Sequence, residues 1–582
     1  MKIVKIFAGL MIVVGIFFRI WHLNTIPAGL YYDEMDSVFL GESVARFGTD
    51  ITGAWSPLQL RPLNSLNLNA ELPSIFHALA QKIVGFGGAA AHIPNAFFGL
   101  MTGVVVIALV KALTGKWSTA LLSGGLLLTN PWHVHVSRTA YEAGISIFFQ
   151  TLIILGFVWF EKSKKLIWKV VSIGVVTFGI FFGFFTYHGA KFTIPAIVLF
   201  MTIYLFNKYG KQKLSLLSTV ILPLFLCLIL GGYYIYLSNH NQLKNRQNEL
   251  IFSSEFLKSE VDLRRRISVN FPGKSIVINK GTILVEEVVK RYLFIFDTRR
   301  LFSQGTEDTF QFSLFVYPYF YLTTLFFLIL GFYYCLKIEK YLFLVGLVLI
   351  SPVTSLITQG YQSIFRSGLT YICLIVVAGI GMGGLIEDLD NKAKKILILG
   401  IFGVMIVEML LFFGNYFGRY PIVTADNHYF SEKLLSGYLG HLDQKVIIIS
   451  SSPYTLARSI VVYLQLIPSL SISQRVQLGN VGAGEFDLGN ITVTANCPKL
   501  PISTNLVVIS DLAKRDECNF DTKTAIQLAS PIDSGTYYFI YNDLLCEEVE
   551  IASYVYVTNI NYFDVTHLSS DQLCHNWMRL DK

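Results

Sequence analysis

Apolar runs of membrane-spanning length, repeated from the first residues to about 415, restrict this chain more than any other feature. A hydrocarbon core about 30 Å thick takes roughly 20 apolar residues per helix. After a first run that follows Lys2 and Lys5, others lie near 94–112, 117–130, 144–160, 167–186, 192–206, 214–236, 312–336, 341–357, 368–386 and 396–413, about eleven in all. Of the 582 residues, 53% are hydrophobic and 15% charged, and the mean hydropathy is +0.54, so the bilayer is the expected solvent. The pattern predicts an all-α polytopic membrane module over 1–414, followed by a different kind of domain over 415–582.

The net charge of +7 would point a soluble chain towards nucleic acid, but here the lysines gather in the short gaps between alternate apolar runs, so no nucleic-acid partner is expected. Lys2 and Lys5, Lys111 and Lys116, Lys162 to Lys165, Lys208 to Lys213, Lys337 and Lys340, and Lys392 to Lys395 share one side if the helices alternate. That side is the cytoplasm, which places the N-terminus inside a cell membrane crossed many times. The outward loops are then 21–90, 130–144, 185–191, 237–311, 358–367 and everything beyond about 415. The first run continues through Arg19, Trp21 and His22 without a small-residue cleavage site and is read as a retained anchor.

Asp36 is placed to cap a short helix that ends at Gly48, with Val38, Phe39, Val44 and Phe47 turned towards the membrane. A second segment runs from Leu72 to Ile83 with Pro73 in its first turn. The 238–311 stretch, with Arg264, Arg265 and Arg266, reads as an outward docking loop or lid. Past Tyr416, strand-like runs such as Val446–Ile449 and Leu506–Ile509 flank a helical stretch from Thr455 to Leu466, the pattern of an extracytoplasmic α/β domain. No glycine-rich phosphate loop follows Ile449, which argues against nucleotide binding. In this tail Cys497, Cys518, Cys546 and Cys574 can pair in three ways, whereas Cys227, Cys335 and Cys373 fall in membrane runs as packing residues.

Chemistry is sought in the outward loops. Tyr31-Tyr32-Asp33-Glu34-Met35-Asp36 holds three carboxylates in four positions just beyond the first helix. Such a cluster serves either helix capping and solvation, or general-base work on an acceptor hydroxyl. The loop after Pro131 offers His133, His135, Arg138 and Glu142, and the planar fork of Arg138 suits a phosphate, although snorkelling at the interface is the plainer use. Two histidines two apart, with no third ligand in view, give a metal little support, and no cofactor is expected. Tyr187, His188 and Lys191 stand at the outer end of another helix, and Arg366 in a later outward turn. Cations on that side run against the positive-inside bias, so each either snorkels or meets an anion at lipid-phosphate depth. Glu408, inside a membrane run, falls under the functional suspicion that such carboxylates attract, with satisfaction of a neighbouring helix as the plain alternative, and is left outside the site.

In order, these residues resemble the glycosyltransferase C (GT-C) superfamily, in the branch of protein O-mannosyltransferases and the lipid A aminoarabinose transferase. The likeness runs through Phe18-Arg19-Ile20, Leu23, Pro27, Gly29-Leu30 and Asp33-Glu34 to Gly48, then Glu71-Leu72-Pro73, Gly85-Phe86-Gly87, Pro94, Gly99, Ser137-Arg138, Tyr187, Lys191 and Pro195. It covers roughly the first 200 residues closely and the later helices by topology alone. The chain departs from it where Ala70-Glu71-Leu72-Pro73 replaces a His-Pro-Pro pattern and where His92-Ile93 precedes Pro94 in place of an arginine. The resemblance implies the GT-C fold and a polyprenyl-phosphate sugar donor. It implies Asp33 as base with Glu34 beside it, Glu142 as a second acid, and Arg138, Lys191 and Arg366 on the donor phosphate, with Tyr187 and His188 nearby. Protein, lipid and glycan acceptors all fit. A lipid-glycan flippase, a polymer ligase or polymerase, and a surface protein merely anchored by its helices are the competing classes. The first would gather polar groups near the bilayer midplane, often in two related halves.

Overall fold

Long apolar stretches in a chain with nowhere else to satisfy backbone groups become helices, since only an intra-segment ladder pairs every N–H and C=O away from water. A computed structural model of the chain describes residues 2–60, 71–85, 88–209, 214–239, 249–305, 314–315, 317–360, 363–387, 392–498, 506–520, 525–533, 535–546, 557 and 559–580. Ala70, Phe86, Gly87, Lys211, Lys213 and Gln362 lie outside them. Among the described residues eight helices are long and apolar enough to cross a membrane: Ile3–Ile20, Ala90–Thr114, Glu142–Lys162, Leu166–Thr186, Ala190–Lys208, Glu339–Ile357, Gly368–Glu387 and Ile396–Val423. The other three expected runs form shorter apolar helices, Trp117–Thr129, Ile221–Leu237 and Leu322–Lys337. The chain is a multi-pass membrane protein.

The chain divides into two compact units. The first comprises Met1–Ile20, Asn95–Ser137 and Glu142–Phe412. Its helices meet through small residues that let backbones approach, as expected where lipid supplies no hydrophobic drive. A Cβ added at Gly331, in the helix Leu322–Lys337, would stand 2.0 Å from the Val377 carbonyl oxygen of the helix Gly368–Glu387. One added at Gly381 would stand 2.2 Å from Phe327 O, so this crossing admits glycine alone on both faces. Glu408 accepts hydrogen bonds from the Thr323 N–H at 3.2 Å and its hydroxyl at 2.5 Å, which joins two helices. The stretch after residue 249 is helical, over Ser254–Arg266, Lys280–Ile295 and Thr298–Phe302, and Arg264 pairs with Glu286 at 2.5 Å and Glu287 at 3.3 Å.

The second unit comprises Trp21–Pro94, Arg138–Tyr141 and Phe413–Lys582. Among the described residues its sheet has seven strands: β1 (Lys445–Ile449), β2 (Glu485–Asp487), β3 (Ile491–Thr494), β4 (Leu506–Asp511), β5 (Ile526–Ala529), β6 (Thr536–Tyr541) and β7 (Met578–Leu580). They lie in the order β2-β3-β1-β4-β6-β5-β7. β1 runs parallel to both β3 and β4, and the other pairs are antiparallel, which makes the expected α/β domain a mixed sheet. Val446, Ile448, Val507 and Ile509 are fully buried, as near-continuous β-branched runs predict for central strands. The disulfides join Cys497 to Cys518 and Cys546 to Cys574, which selects one of the three connectivities.

The first loop packs into the same core as this sheet. Leu30, Met35, Val38 and Phe39 share one apolar cluster with Leu434, Leu435, Ile460, Val461 and Ile540. Two expectations change here. The helix Tyr32–Phe47 begins at Tyr31, one turn before Asp36, and Asp36 is instead buried in an ion pair with Arg458. Val38 and Phe39, expected to face lipid, are 2% and 0% exposed because helices Tyr32–Phe47 and Pro453–Tyr463 pack together. Gly48 does end the first of these helices in the left-handed conformation (φ 72°), and Pro73 opens the helix Pro73–Val84.

Candidate functional site

The three clustered carboxylates have three different surroundings. Asp33 and Glu34 occupy the first turn of Tyr32–Phe47, where the helix dipole favours negative charge. Asp33 is half-buried, whereas Glu34 and Asp36 are 0% and 3% exposed. Glu34 accepts the Tyr31 N–H at 2.8 Å and the Ala140 N–H at 2.7 Å, so one side chain fastens the helix start to the Arg138–Tyr141 segment. His428 Nδ1 lies 3.8 Å and His92 Nε2 4.0 Å from its oxygens. Burial alone would raise the Glu34 carboxyl, but the nearby imidazoles of His428 and His92, with the Ala140 N–H, outweigh it and hold Glu34 below the usual range. His428 continues to the Tyr420 hydroxyl at 3.1 Å. Burial pushes His77 down to about 4, so it stays neutral at physiological pH. Burial likewise lifts Asp36 to about 7 despite the Arg458 guanidinium against it.

Tyrosines surround Asp33. The Tyr31 ring lies 6.4 Å from Tyr141 and 5.7 Å from Tyr429, centroid to centroid. The Asp33 charge raises the hydroxyls of all three, after burial, with Tyr31 reaching about 12. They therefore remain protonated hydrogen-bond donors beside a carboxylate at neutral pH.

Arg138 is wholly buried, and the fork read as a phosphate clamp is spent on the chain itself. It donates to the carbonyls of His22 and Ile26, each at 2.9 Å, and lies 5.0 Å from the Phe417 ring. Burial lowers it to about 10, which leaves it charged. The segment predicted as a loop is the helix Pro131–Arg138, since a proline without an N–H suits the first helical position. His133 Nδ1 pairs with Arg19 at 2.6 Å.

The remaining predicted residues belong to the first unit. Glu142 opens the helix Glu142–Lys162. Lys191 donates to Phe184 O at 2.9 Å and stands over the Phe184 and Tyr234 rings at 5.2 and 5.4 Å. Tyr187 and His188 form the turn before it, and Tyr187 lies against Gly189. Arg366 donates to Gln359 O in the short helix Ser363–Arg366. Among the described residues no three His, Cys, Asp or Glu side chains cluster as metal ligands.

Sequence reading missed His92, His428, Tyr141, Tyr429 and Arg458 as neighbours of the acidic turn. All but Tyr141 and His92 come from the tail, some 400 residues further along, and a one-dimensional pattern carries no sign of that meeting.

No family description and no curated protein matches this sequence. Solved structures do resemble it. ArnT from Cupriavidus metallidurans bound to undecaprenyl phosphate aligns at 10% identity and a TM-score of 0.48, over 93% of this chain and 98% of that one. The neighbours are GT-C proteins. The Archaeoglobus fulgidus oligosaccharyltransferase tethered with an acceptor peptide aligns at 11% identity and a TM-score of 0.42, over 79% of this chain and 63% of that one. The same archaeal enzyme, AglB, in complex with an inhibitory peptide and a dolichol-phosphate aligns at 11% and 0.43, over 94% and 75%. At such identities and scores the likeness carries no argument about what this chain binds, and the match spans under two thirds of the first oligosaccharyltransferase chain.

Proposed function

We propose that this protein transfers a sugar from a polyprenyl-phosphate donor to an acceptor hydroxyl on the extracytoplasmic face, with its N-terminus in the cytoplasm. The observation that carries the reading is the division of labour in the acidic turn. Glu34 and Asp36 are buried, while Asp33 is the partly exposed carboxylate of the three, set near tyrosine hydroxyls. A base must reach the proton it takes, and a rim of aromatic rings with polar tips suits a sugar or an acceptor chain.

In this reading Asp33 takes the proton of the acceptor hydroxyl as its oxygen attacks the anomeric carbon. The carbon–oxygen bond to phosphate breaks, its electron pair leaves with polyprenyl phosphate, and the anomeric centre inverts. Lys191 and Arg366, each held in one orientation by a backbone carbonyl, are assigned to the charge building on the departing phosphate. Tyr187 and His188 are assigned to donor binding with Lys191, and Glu142 is the reserve acid. Glu34 and Arg138 act at one remove: Glu34 fixes the start of the helix that carries Asp33, and Arg138 fixes the His22–Ile26 turn that precedes it in the chain.

Washed membranes given a synthetic polyprenyl-phosphate sugar should release free polyprenyl phosphate when an acceptor is present. Asp33→Asn should slow that release by roughly 10²–10⁴-fold, the usual worth of a general base. Release at near the native rate with normal expression removes Asp33 from the mechanism, and transport of intact donor without release favours a flippase.

A further inference from the structure

The second unit contains a cavity that the proposed reaction does not use. It has a volume of about 450 Å³, within the range of small-molecule sites. Its floor is one stripe of the helix Phe430–Leu439 and the residue after it: Lys433, Ser436, Gly437 and Gly440 recur at helical spacing. The two glycines let neighbouring segments pack closely against this helix. A Cβ at Gly437 would stand 3.0 Å from Val565 O, and one at Gly440 would stand 3.4 Å from a Leu464 methyl group.

The polar groups on the walls are oddly matched for a purely structural void. The Lys433 ammonium is 3% exposed and donates to Asn24 O at 3.1 Å and Ala28 O at 2.9 Å. That accounts for two of its three N–H bonds. Asp564, on the same cavity, attracts Lys433 without closing an ion pair with it. Its carboxylate receives Asn24 Nδ2 at 2.6 Å, and ionised it can accept several more hydrogens. His441 Nε2 meets the Leu568 carbonyl at 3.1 Å, so in the neutral ring Nε2 carries the hydrogen and Nδ1 is an acceptor.

An anion entering here meets Asp564, a cation meets Lys433, and an apolar ligand strips water from both without replacing it. A neutral ring bearing adjacent hydroxyls satisfies both, donating to Asp564 and His441 and accepting from Lys433. We propose that this cavity is a saccharide-binding site that holds one sugar unit of a glycan between Lys433 and Asp564. It is separate from the Asp33 chemistry and does not depend on it.

Saturation-transfer NMR on the full chain in detergent, with methyl glycosides of glucose, mannose, galactose and N-acetylglucosamine as probes, tests this directly. At least one glycoside should receive saturation. Gly440→Leu, which fills the cavity at an ordinary right-handed helical position and removes no polar group, should abolish that signal. Asp564→Ala should weaken binding about tenfold or more, as expected for the loss of hydrogen bonds to a charged group. Asp33→Asn should keep the signal, so a failed reaction and a failed cavity remain distinguishable. No transfer to any glycoside, transfer undiminished in Gly440→Leu, or displacement of glycosides by free glycine as a zwitterionic occupant each overturns the proposal.

Discussion

Three acids that look alike in the string differ most in what lies against them, and that difference sets how each responds to substitution. Asp36 and Arg458 form a buried pair, so Arg458→Met alone leaves an unpaired buried carboxylate and should cost about 3–5 kcal/mol. The double variant Asp36→Leu/Arg458→Met should recover most of that loss. Thermal unfolding of the detergent-solubilised chain checks both, and a double variant no better than the single one would sink the assignment. Lys433 gives a pH test. Burial lowers it from 10.5 to about 8, so between these values the unfolded chain binds the proton that the folded chain has released. Stability relative to Lys433→Met should therefore rise as pH climbs from about 8 towards 10.5, and a difference that stays flat or falls contradicts the burial seen here. Asp33 and Glu34 were legible as an acidic turn beside a membrane helix. Their unlike roles were not, because burial is decided by His92, His428 and Ala140, which arrive from elsewhere in the chain.

Among the elements, most membrane helices were legible to within a few residues because length and hydropathy determine them, but the run read from 312 is helical only from Leu322, and the run 341–357 is divided into Leu342–Ile350 and Val353–Ile357. The seams between them were less so. Nothing in the hydropathy pattern marks Gly331 and Gly381, yet each faces a backbone carbonyl too near for any side chain. Gly331→Val should force the helices Leu322–Lys337 and Gly368–Glu387 apart and lower the yield of folded protein in size-exclusion chromatography. The equivalent change at Gly400, where nothing lies within 4 Å, should be tolerated. The helix Tyr32–Phe47 shows the opposite case. Its existence and its glycine stop followed from local signals, while its start and buried face did not, since an amphipathic stripe fits a protein core as well as a lipid surface.

For the whole molecule, the sequence separates a greasy first part from a mixed tail, whereas the structure regroups the chain by packing. Residues 21–94 join 413–582 in one unit although more than 300 positions intervene. The two disulfides close spans of 21 and 28 residues within that unit, each worth about 3 kcal/mol by loop entropy. Thiol-reactive maleimide should label Cys497, Cys518, Cys546 and Cys574 only after reduction; labelling without reductant would contradict the pairing and the oxidising compartment it implies. The regrouping also dictates an order of events during synthesis. The segment carrying Asp33 emerges early, but its apolar partners are made last, and at roughly 5–20 residues per second it waits on the order of half a minute or longer. A chain stopped at Phe412 should therefore be cut readily by protease within residues 21–60, and the finished chain should resist there.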